Sequence, residues 1–345
     1  MEEIKLGLVG CGRISSKHFE AIAQIENAKI ISCCDIIKSR AVEAAEKYQV
    51  DKYYTDYIEM LENEDISSIL ICTPSGLHPE MGIQAAERKI NVITEKPMAI
   101  DLKSADKLVK ACDKNKVKLF VVKQNRLNPS IQLLKKAIDK GRFGRLFNAN
   151  VTVRWTRPQS YYDQASWRGT WEFDGGAFLN QASHYFDLLQ WLMGPVDSVM
   201  SYTATLNHKI EAEDQGVGIL KFQNGALGVV DVTMNTYPKN FEGSITIMGE
   251  TGTVKVGGIA VNKIEHWIFQ DYDDDDKFVT ASTTSPTSVY GFGHLGYLKN
   301  VIDVLKGNGV PQTDGRSGRK SLEIVLAMYE SAKKGKKISL PLKTY

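Results

Sequence analysis

A lysine in the triplet Glu95-Lys96-Pro97 has a setting that suits proton transfer. The triplet follows the apolar run Asn91–Ile93, which has the pattern of a buried strand. Pro97 cannot continue a sheet ladder, and it favours an extended backbone at Lys96. A lysine held at such a strand end can polarise a substrate hydroxyl and help to move its proton. Most lysines only solvate a surface, but the strand end and the proline favour a catalytic lysine here.

A second segment with catalytic potential runs from Gly175 to Asp187 and contains a histidine. Its paired glycines, Gly175 and Gly176, permit close approach of the backbone to a ligand. If a helix has begun by Asn180, then Asn180, His184 and Asp187 share one face through i+4 and i+3 spacing. A histidine on that face can accept a hydroxyl proton near neutral pH. A histidine that only packs the helix fits the spacing equally well.

The first apolar run leads straight into a glycine-rich turn. Ile4–Val9 is followed by Gly10-Cys11-Gly12-Arg13-Ile14-Ser15 and then by a helical pattern. In such a unit the first glycine makes the tight turn, and the second lets a pyrophosphate approach the helix N-terminus. Asp35 lies 20 residues beyond Ser15, where a carboxylate binds the adenosine ribose hydroxyls and repels a 2′-phosphate. The sequence therefore predicts an NAD site rather than a strand–helix unit with an empty crevice. The expected contacts are Gly10, Gly12, Arg13, Ile14 and Asp35.

Two loops follow further strand-like runs. Thr73-Pro74-Ser75-Gly76-Leu77-His78 comes after Ser68–Cys72, just as the lysine triplet comes after Asn91–Ile93. Open parallel sheets bind ligands at the carboxyl ends of their strands. We therefore expect both loops to contact the cofactor, through Thr73, Pro74, Ser75, His78, Glu95 and Lys96.

The first third of the chain alternates strand-like runs with helical patterns. The clearest helix is Asp101–Lys114, with Asp101 placed to cap it. This alternation predicts a parallel sheet that is covered on both faces. The predicted strands are Ile4–Val9, Lys29–Cys34, Ser68–Cys72, Asn91–Ile93 and Lys118–Val122.

The pattern changes beyond Lys123, where strands follow one another with turn signals between them. Strands in series indicate an antiparallel or mixed sheet. The chain is thus predicted to have an α/β fold: a dinucleotide-binding domain, 1–122, and an α/β (α+β) domain with a large open sheet, 123–345. The predicted helices of the second domain are Asn128–Lys140, one around Gln181–Met193 and a C-terminal one ending near Gly335. Its predicted strands are Arg145–Trp155, Ser198–Leu206, Val217–Phe222, Ala226–Met234, Gly243–Met248 and Thr253–Val256.

Composition excludes several classes of protein. The 345 residues suffice for two domains of ~150 residues each. Lys plus Arg is 43 and Asp plus Glu is 41, so the net charge of +2 lacks the basic excess that nucleic-acid binding needs. No apolar run approaches the ~18 residues that cross a bilayer, and Met1-Glu2-Glu3 is unlike the start of a secretion signal. The five cysteines form no Cys-x-x-Cys pair. We therefore expect a cytoplasmic protein that contacts no membrane and has no metal site.

An acidic segment, Asp271–Asp276, is the one strongly biased stretch. Clustered carboxylates can bind calcium, but the segment lacks the alternation and the turn glycine of a calcium loop. We expect a solvated loop that joins two strands.

Several motifs together resemble the glucose–fructose oxidoreductase/inositol dehydrogenase (Gfo/Idh/MocA-like) family. They span nearly the whole chain: Gly10-Cys11-Gly12, Asp35, Glu95-Lys96-Pro97, Asn125-Arg126, Gly175-Gly176 with His184-x-x-Asp187, Trp191-Leu192-x-Gly194 and Asp314-Gly315-Arg316. The resemblance implies a Rossmann domain, then an α/β domain whose open sheet makes oligomer contacts. It also implies that Lys96 and His184 form the pair that handles the proton. Many members have Asp where this chain has Asn180, and an amide cannot stabilise an imidazolium as a carboxylate would.

A narrower resemblance is to bacterial UDP-N-acetylglucosaminuronate (UDP-GlcNAcA) 3-dehydrogenases of surface-polysaccharide biosynthesis. It is carried by residues 122–126, 155–162, 167–176 and 180–184. The resemblance implies NAD-dependent oxidation of the sugar C3 hydroxyl and a homotetramer. Some relatives keep NAD bound and regenerate it with 2-oxoglutarate. It also adds Gln124 to the expected cofactor contacts, and Asn125, Asn180 and Ser183 to the expected substrate contacts.

Two arginines suit an acidic nucleotide sugar. Arg157 and Arg168 flank a Tyr/Trp-rich stretch that includes Tyr161, and a guanidinium can bind a carboxylate or a diphosphate through two hydrogen bonds. Arginine–aromatic clusters are equally typical of subunit interfaces. The expected substrate contacts are Lys96, Asn125, Arg157, Tyr161, Arg168, Asn180, Ser183 and His184. The alternatives are a dehydrogenase of the same fold for inositol or another neutral sugar, and a non-catalytic NAD-binding regulator.

Overall fold

The computed structural model describes residues 3–285 and 289–343. The chain divides into two compact units: residues 1–123 with 294–319, and residues 124–293 with 320–345. Each unit has its own sheet.

The first unit is built on a parallel sheet. Its strands are β1 Ile4–Val9, β2 Ala28–Cys34, β3 Lys52–Tyr54, β4 Ser68–Ile71, β5 Asn91–Thr94 and β6 Leu119–Val121. The helices that follow these strands are α1 Ser15–Ile22, α2 Lys38–Tyr48, α3 Tyr57–Asn63, α4 His78–Glu87 and α5 Leu102–Asn115. The strand order β3-β2-β1-β4-β5-β6 reverses direction at β1 and β4, which defines the crevice where such sheets bind ligands.

The central strands are apolar because helices cover both faces of the sheet. All four residues of β4 are buried, which explains why its sequence shows a continuous apolar run rather than an alternating one. Helix α5 begins at the expected cap, since Asp101 Oδ1 accepts the backbone N–H of Ser104 at 2.8 Å. The predicted Rossmann-type first domain is confirmed.

The first unit also contains residues 294–319, although the sequence predicted that all residues after 122 belong to the second domain. The segment includes most of α9 Gly293–Leu305 and the start of α10 Gly315–Lys334. Thr313 Oγ1 donates to the Val121 carbonyl at the end of β6 at 2.5 Å, and Arg319 pairs with Asp106 of α5 at 2.6 Å. These contacts are distant in sequence, so no local pattern indicates them.

The second unit is built on a mixed sheet of eight strands. They are β7 Leu146–Arg154, β8 Val196–Ala204, β9 Gln215–Phe222, β10 Leu227–Thr233, β11 Glu242–Gly249, β12 Gly252–Gly257, β13 Lys263–Phe269 and β14 Ile338–Ser339. The order is β13-β12-β11-β7-β10-β9-β8-β14, in which only β7 and β10 pair in parallel. Among the described residues, three helices lie wholly within this unit: α6 Pro129–Asp139, α7 Gln159–Tyr162 and α8 Ser183–Met193. The predicted open mixed sheet is confirmed.

The sheet of the second unit has one covered and one open face. In β9 and β10 buried residues alternate with exposed ones, as one-sided burial requires. The exposed residues on this side include large apolar ones: Tyr202, Val217, Ile219, Leu227 and Val229.

The acidic segment is not a solvated loop between strands, so that expectation was wrong. It follows β13 and overlaps the start of the 3-10 turn Asp274–Phe278. Asp275 pairs with Lys136 at 2.7 Å, and Asp276 pairs with Arg142 at 2.6 Å, so basic residues on and just after α6 neutralise the acids. Ion pairs between distant segments thus hold the turn in place.

Candidate active site

The glycine-rich turn after β1 is fixed by packing at its first glycine. Gly10 has a φ of +91°, and a Cβ there would lie 2.7 Å from the carbonyl group of Cys72, just after β4. Only glycine fits, because the turn uses the left-handed region and presses against neighbouring backbone. The carboxyl ends of β1 and β4 therefore meet closely.

The second glycine of the turn is not required by the protein's own packing. A Cβ at Gly12 would meet no protein atom within 4 Å, and its φ lies outside the left-handed region. Ser15 Oγ donates to the Gly12 carbonyl at 2.6 Å, and Arg13 and Ile14 lead into α1 between them. A glycine explained by neither strain nor packing fits a ligand that lies against the backbone, as the pyrophosphate of NAD would at this helix N-terminus.

The carboxylate expected at the ribose lies beside the turn. Asp35 Oδ2 accepts the backbone N–H of Cys11 at 2.9 Å, and Oδ1 accepts that of Ile37 at 2.8 Å. Each oxygen keeps a further acceptor site, so the oriented carboxylate fits two ribose hydroxyl donors.

His78 fastens the two strand-end loops to each other. Its Nδ1 lies 2.8 Å from the Pro97 carbonyl and its Nε2 2.8 Å from the Thr73 carbonyl. Burial lowers the pKa of His78 and the two carbonyls raise it; a neutral ring donates to one of the carbonyls, and a protonated ring donates to both. These bonds favour a positioning role for the ring over the direct cofactor contact that the sequence analysis expected. The other expected contacts, Pro74 and Ser75, lie at the start of the 3-10 turn Ser75–Leu77.

Glu95 forms a buried ion pair. Its Oε1 lies 2.7 Å from Nε2 of His18 in α1, and the His294 ring meets the His18 ring edge-on. Burial opposes charge on both partners, but Cys72 and Glu95 raise the pKa of His18 to about 10, and His18 holds the pKa of Glu95 at about 2. Burial and the His18 charge lower the pKa of His294 to about 3. The Glu95 side chain thus faces α1, although a cofactor contact was expected, and its Oε2 accepts the backbone N–H of Lys96 at 3.1 Å.

The same three residues have metal-like spacing. The ligand atoms of His18, Glu95 and His294 lie within 4.8 Å of one another, the one such group in the described ranges 3–285 and 289–343. The His18–Glu95 hydrogen bond already satisfies two of the three atoms, and a metal ion would have to break it. The arrangement favours an ion pair, and the expectation of no metal stays a prediction.

In the second unit, the condition for Asn180, His184 and Asp187 to share one helix face was a helix that has begun by Asn180, and α8 does not meet it. Residues Ala177–Gln181 form a π-helical turn, in which Ala182 N donates to the carbonyl five residues back. Helix α8 begins only at Ser183, so Asn180 precedes the helix and His184 lies in its first turn. Ser183 and His184 are both buried.

Asp187 serves as an anchor for a neighbouring segment. Its two carboxylate oxygens accept Nε and Nη2 of Arg126, each at 2.7 Å, and the guanidinium also stacks over Trp191 at 5.0 Å. The bond fixes the residues just before Arg126, which are Gln124 and Asn125. Within the described residues, the buried Gln124 Oε1 and Asn125 Oδ1 have no hydrogen-bond partner. Such atoms fit donors supplied by a ligand.

The two predicted arginines share one aromatic ring. The guanidinium carbon of Arg168 lies 4.3 Å and that of Arg157 5.4 Å from the Tyr161 ring centre, with Trp167 and Trp155 adjacent. Burial lowers the pKa of Arg157. Across residues 3–285 and 289–343 no carboxylate lies within 4.0 Å of either guanidinium, and Arg168 Nε is buried without a partner. The cluster therefore suits an anionic ligand.

The backbone at Arg157 is held by a histidine that the sequence analysis missed. His208 Nε2 contacts the Arg157 carbonyl at 2.5 Å, and Nδ1 lies 2.9 Å from Asp214 Oδ2. Burial opposes charge on Asp214, but hydrogen bonds from backbone N–H groups and from Asn235 hold its pKa at about 2. The ionised Asp214 thus orients His208, which in turn orients the arginine segment.

A buried acid orders the backbone that leads to α8. Glu213 Oε1 accepts the N–H of Phe178 at 2.7 Å and the hydroxyl of Tyr329 at 2.8 Å, while Tyr329 accepts the N–H of Leu179 at 3.1 Å. Burial is the main cause that raises the pKa of Glu213 to about 7. Glu213 lies in Ala212-Glu213-Asp214, just before a strand, and nothing in this local pattern indicates its role.

Two family models cover most of the chain. The oxidoreductase family NAD-binding Rossmann fold matches residues 4–123, and the oxidoreductase family C-terminal alpha/beta domain matches residues 135–340. Fold and site therefore define an NAD-binding oxidoreductase. The chain belongs to the Gfo/Idh/MocA oxidoreductase family.

Solved structures of high similarity are dehydrogenases. The WlbA dehydrogenase from Bordetella pertussis, in complex with NADH and UDP-GlcNAcA, is 51% identical with a TM-score of 0.96, and the match covers 99% of each chain. The WlbA enzyme from Chromobacterium violaceum, with the same ligands, is 50% identical with a TM-score of 0.95 over 100% of this chain and 98% of that one. The Myo-inositol 2-dehydrogenase of Thermotoga maritima is 26% identical over 98% of each chain. The predicted NAD cofactor and the predicted dehydrogenase class are confirmed.

Among the described helices, none has the length and apolar content needed to cross a membrane.

The two turn glycines should respond differently to alanine. We expect Gly12→Ala to weaken NADH binding by about tenfold, or ~1.4 kcal/mol, while leaving unfolding nearly unchanged, because its methyl group meets no protein atom. Gly10→Ala should lower the free energy of unfolding by roughly 1–3 kcal/mol through backbone strain. Fluorescence titration with NADH and thermal unfolding separate the effects. Wild-type NADH affinity in Gly12→Ala would contradict the assignment.

Glu213 should make stability depend on pH. Its pKa is about 7 in the folded chain against an ordinary 4.5, so between these values the folded state holds a proton that the unfolded state has lost. Stability from this group is therefore full below pH ~4.5 and falls as pH rises to ~7, by at most roughly 3 kcal/mol. Glu213→Gln, which keeps an acceptor oxygen, should remove that slope. Unfolding of both proteins across this range tests the prediction, and parallel pH curves would refute it.

Proposed function

We propose that the chain is an NAD-dependent sugar dehydrogenase that oxidises the C3 hydroxyl of UDP-GlcNAcA to the 3-keto sugar. The observation that carries the proposal is the pair of guanidiniums, Arg157 and Arg168, over one Tyr161 ring, with no carboxylate in contact within the described residues. Two WlbA enzymes, 51% and 50% identical to this chain, bind NADH and UDP-GlcNAcA. An acidic nucleotide sugar supplies the anionic groups that this cluster lacks.

Recognition follows from the chemistry of the cluster. A guanidinium binds a carboxylate or a diphosphate through paired charge-assisted hydrogen bonds. Arg168 Nε is buried without a protein partner, so an oxygen from the ligand would satisfy it. The faces of Tyr161 and Trp155 keep the guanidiniums in fixed planes, which reduces the entropy lost on binding.

Proton transfer falls to Lys96 and His184. When bound, NAD accepts the hydride that leaves the sugar C3 carbon. In the proposed reaction His184, in the first turn of α8, takes the hydroxyl proton as the C3–O bond becomes a carbonyl. Lys96, after β5, assists by polarising the same oxygen. Asn125, Asn180 and Ser183 complete the proposed substrate contacts, and Gln124 the cofactor contacts.

We also propose that 2-oxoglutarate regenerates NAD and that the chain forms a homo-oligomer, a tetramer by its family resemblance. The open face of the second sheet supports the oligomer. Its exposed apolar residues are cross-strand neighbours, with Tyr202 opposite Val217 and Val229 opposite Ile219. Monomers rarely expose such contiguous apolar surface to water.

A neutral polyol is the second candidate substrate. The 26% identity to a Myo-inositol 2-dehydrogenase over nearly the full chain favours it. A neutral polyol, however, would leave the charges of Arg157 and Arg168 without an anionic partner. The two candidates are therefore distinguished by what these arginines contribute.

The reaction itself is tested by NADH absorbance. We expect purified protein to reduce NAD with UDP-GlcNAcA and to lose the absorbance when 2-oxoglutarate is added. Lys96→Ala and His184→Ala should each lower kcat by about 10²–10⁴-fold, because each removes a proton-handling group. Lys110→Ala, at an exposed lysine of α5, is the matched control and should keep full activity. Only modest loss in both Lys96→Ala and His184→Ala would defeat the assignment, and NAD binding without turnover would favour the regulator.

The arginines are tested by binding selectivity. Arg168→Gln should raise KM for UDP-GlcNAcA by about 10–100-fold, as expected for one charge-assisted hydrogen bond, with kcat within a few-fold. Arg157→Gln should act in the same direction, whereas Arg154→Ala, at a partly exposed arginine paired with Asp231, should not. Dissociation constants of the variants for UDP, UDP-GlcNAc and UDP-GlcNAcA show whether the arginines bind the diphosphate or the carboxylate. Unchanged KM in both variants would favour the neutral polyol.

A further inference from the structure

A chain of hydrogen bonds leads from one of the two arginines to a buried carboxylate. Arg157 Nε donates to Gln181 Oε1 at 3.1 Å, and Gln181 Nε2 donates to Asn180 Oδ1 at 3.2 Å. Asn180 Nδ2 in turn donates to Asp174 Oδ1. Asp174 is only 2% exposed. A cation and an anion are thus connected through two neutral amides.

The two ends of the chain determine how both amides point. A guanidinium can only donate and an ionised carboxylate can only accept. Gln181 must therefore turn its oxygen to Arg157, and Asn180 must turn its NH₂ group to Asp174. Reversing either amide would place two donors or two acceptors face to face, which costs the energy of unsatisfied buried groups. The direction of every bond is set by the charges at the ends.

Asp174 also holds the segment of the other arginine. Its second oxygen, Oδ2, accepts the backbone N–H of Gly169 at 2.7 Å. Gly169 directly follows Arg168, and its φ of +70° fixes a turn there. One buried carboxylate is therefore bonded to the neighbour of Arg168 and, through Asn180 and Gln181, to Arg157.

We propose that Asp174 and Asn180 are positioning residues that hold Arg157 and Arg168 in register for the anionic groups of the substrate. The proposal rests on the proposed function and deepens it. It gives Asn180 a role that an ionised carboxylate could not fill, because a carboxylate at position 180 can accept hydrogen bonds but cannot donate one to Asp174. Asn180 is thus required as the donor to Asp174, and its neighbour Gln181 passes the orientation on to Arg157.

A reciprocal exchange tests the proposal. N180D places two carboxylates next to each other. D174N replaces the carboxylate by an amide, whose side chain has one acceptor oxygen in place of two for Asn180 and Gly169. We expect each single variant to raise KM for UDP-GlcNAcA at least tenfold, with a smaller effect on kcat. In N180D/D174N the amide at 174 donates to the new acid and still accepts from Gly169, so KM should return to within about threefold of wild type. Merely structural damage would add up in the double variant rather than cancel.

A separate binding measurement distinguishes failure of the positioning role from failure of the proposed function. Binding of UDP, followed by fluorescence of Trp155 and Trp167 beside the arginines, uses no turnover. If wild type oxidises UDP-GlcNAcA but the double variant is not rescued, the positioning role is overturned and the function stands. If wild type lacks that activity, rescue of UDP binding supports the positioning role on its own, and failure of rescue overturns it. NADH affinity and thermal unfolding of every variant confirm that the fold is retained.

Discussion

Buried carboxylates order the irregular backbone on which the second unit's chemistry depends. Between β7 and α8 the chain forms few ladder hydrogen bonds, and its N–H groups need other acceptors. Asp174 accepts from Gly169, Glu213 accepts from Phe178, and Asp214 accepts from the segment at His208, whose ring contacts the Arg157 carbonyl. Burying a charged or polar group is costly unless hydrogen-bond donors satisfy it, so these acids favour the loop conformation that supplies the donors. The loops that present the arginines and lead to His184 are thereby restricted to one arrangement.

The first unit also contains a buried carboxylate, but there a neighbouring histidine carries the opposite charge. Glu95 is neutralised by His18 within hydrogen-bond distance, so the pair adds little net field at the strand ends. Arg157 and Arg168 have no such partner in the described part of the chain. Acids near them are satisfied by backbone and amide donors and do not contact the guanidiniums. The positive charge therefore remains available to an anion, which a direct ion pair would have prevented.

The regular elements of the fold could be predicted from sequence because their signals are local. The period of apolar residues located β1 and α5, and Asp101 marked the start of α5, since each signal lies within one element. The Gly10–Ser15 turn and the arginine cluster were also predicted from local motifs. The return of residues 294–319 to the first unit, the Arg126–Asp187 pair and the contacts of Glu213 join residues far apart in sequence. Neither spacing nor propensity encodes such partners, and neither predicts the π-turn at Ala177–Gln181 that precedes α8.

The amide at residue 180 lies beside a buried carboxylate. On sequence alone, an amide at this position removes the acid that would stabilise a protonated histidine. The structure places a carboxylate at Asp174, bonded to Asn180 through the amide NH₂ group. Hydrogen bonds through Asn180 and Gln181 connect this carboxylate to Arg157. Under the proposed function this arrangement favours binding of an anion, because a second carboxylate at position 180 would repel the ligand that the arginines are proposed to attract.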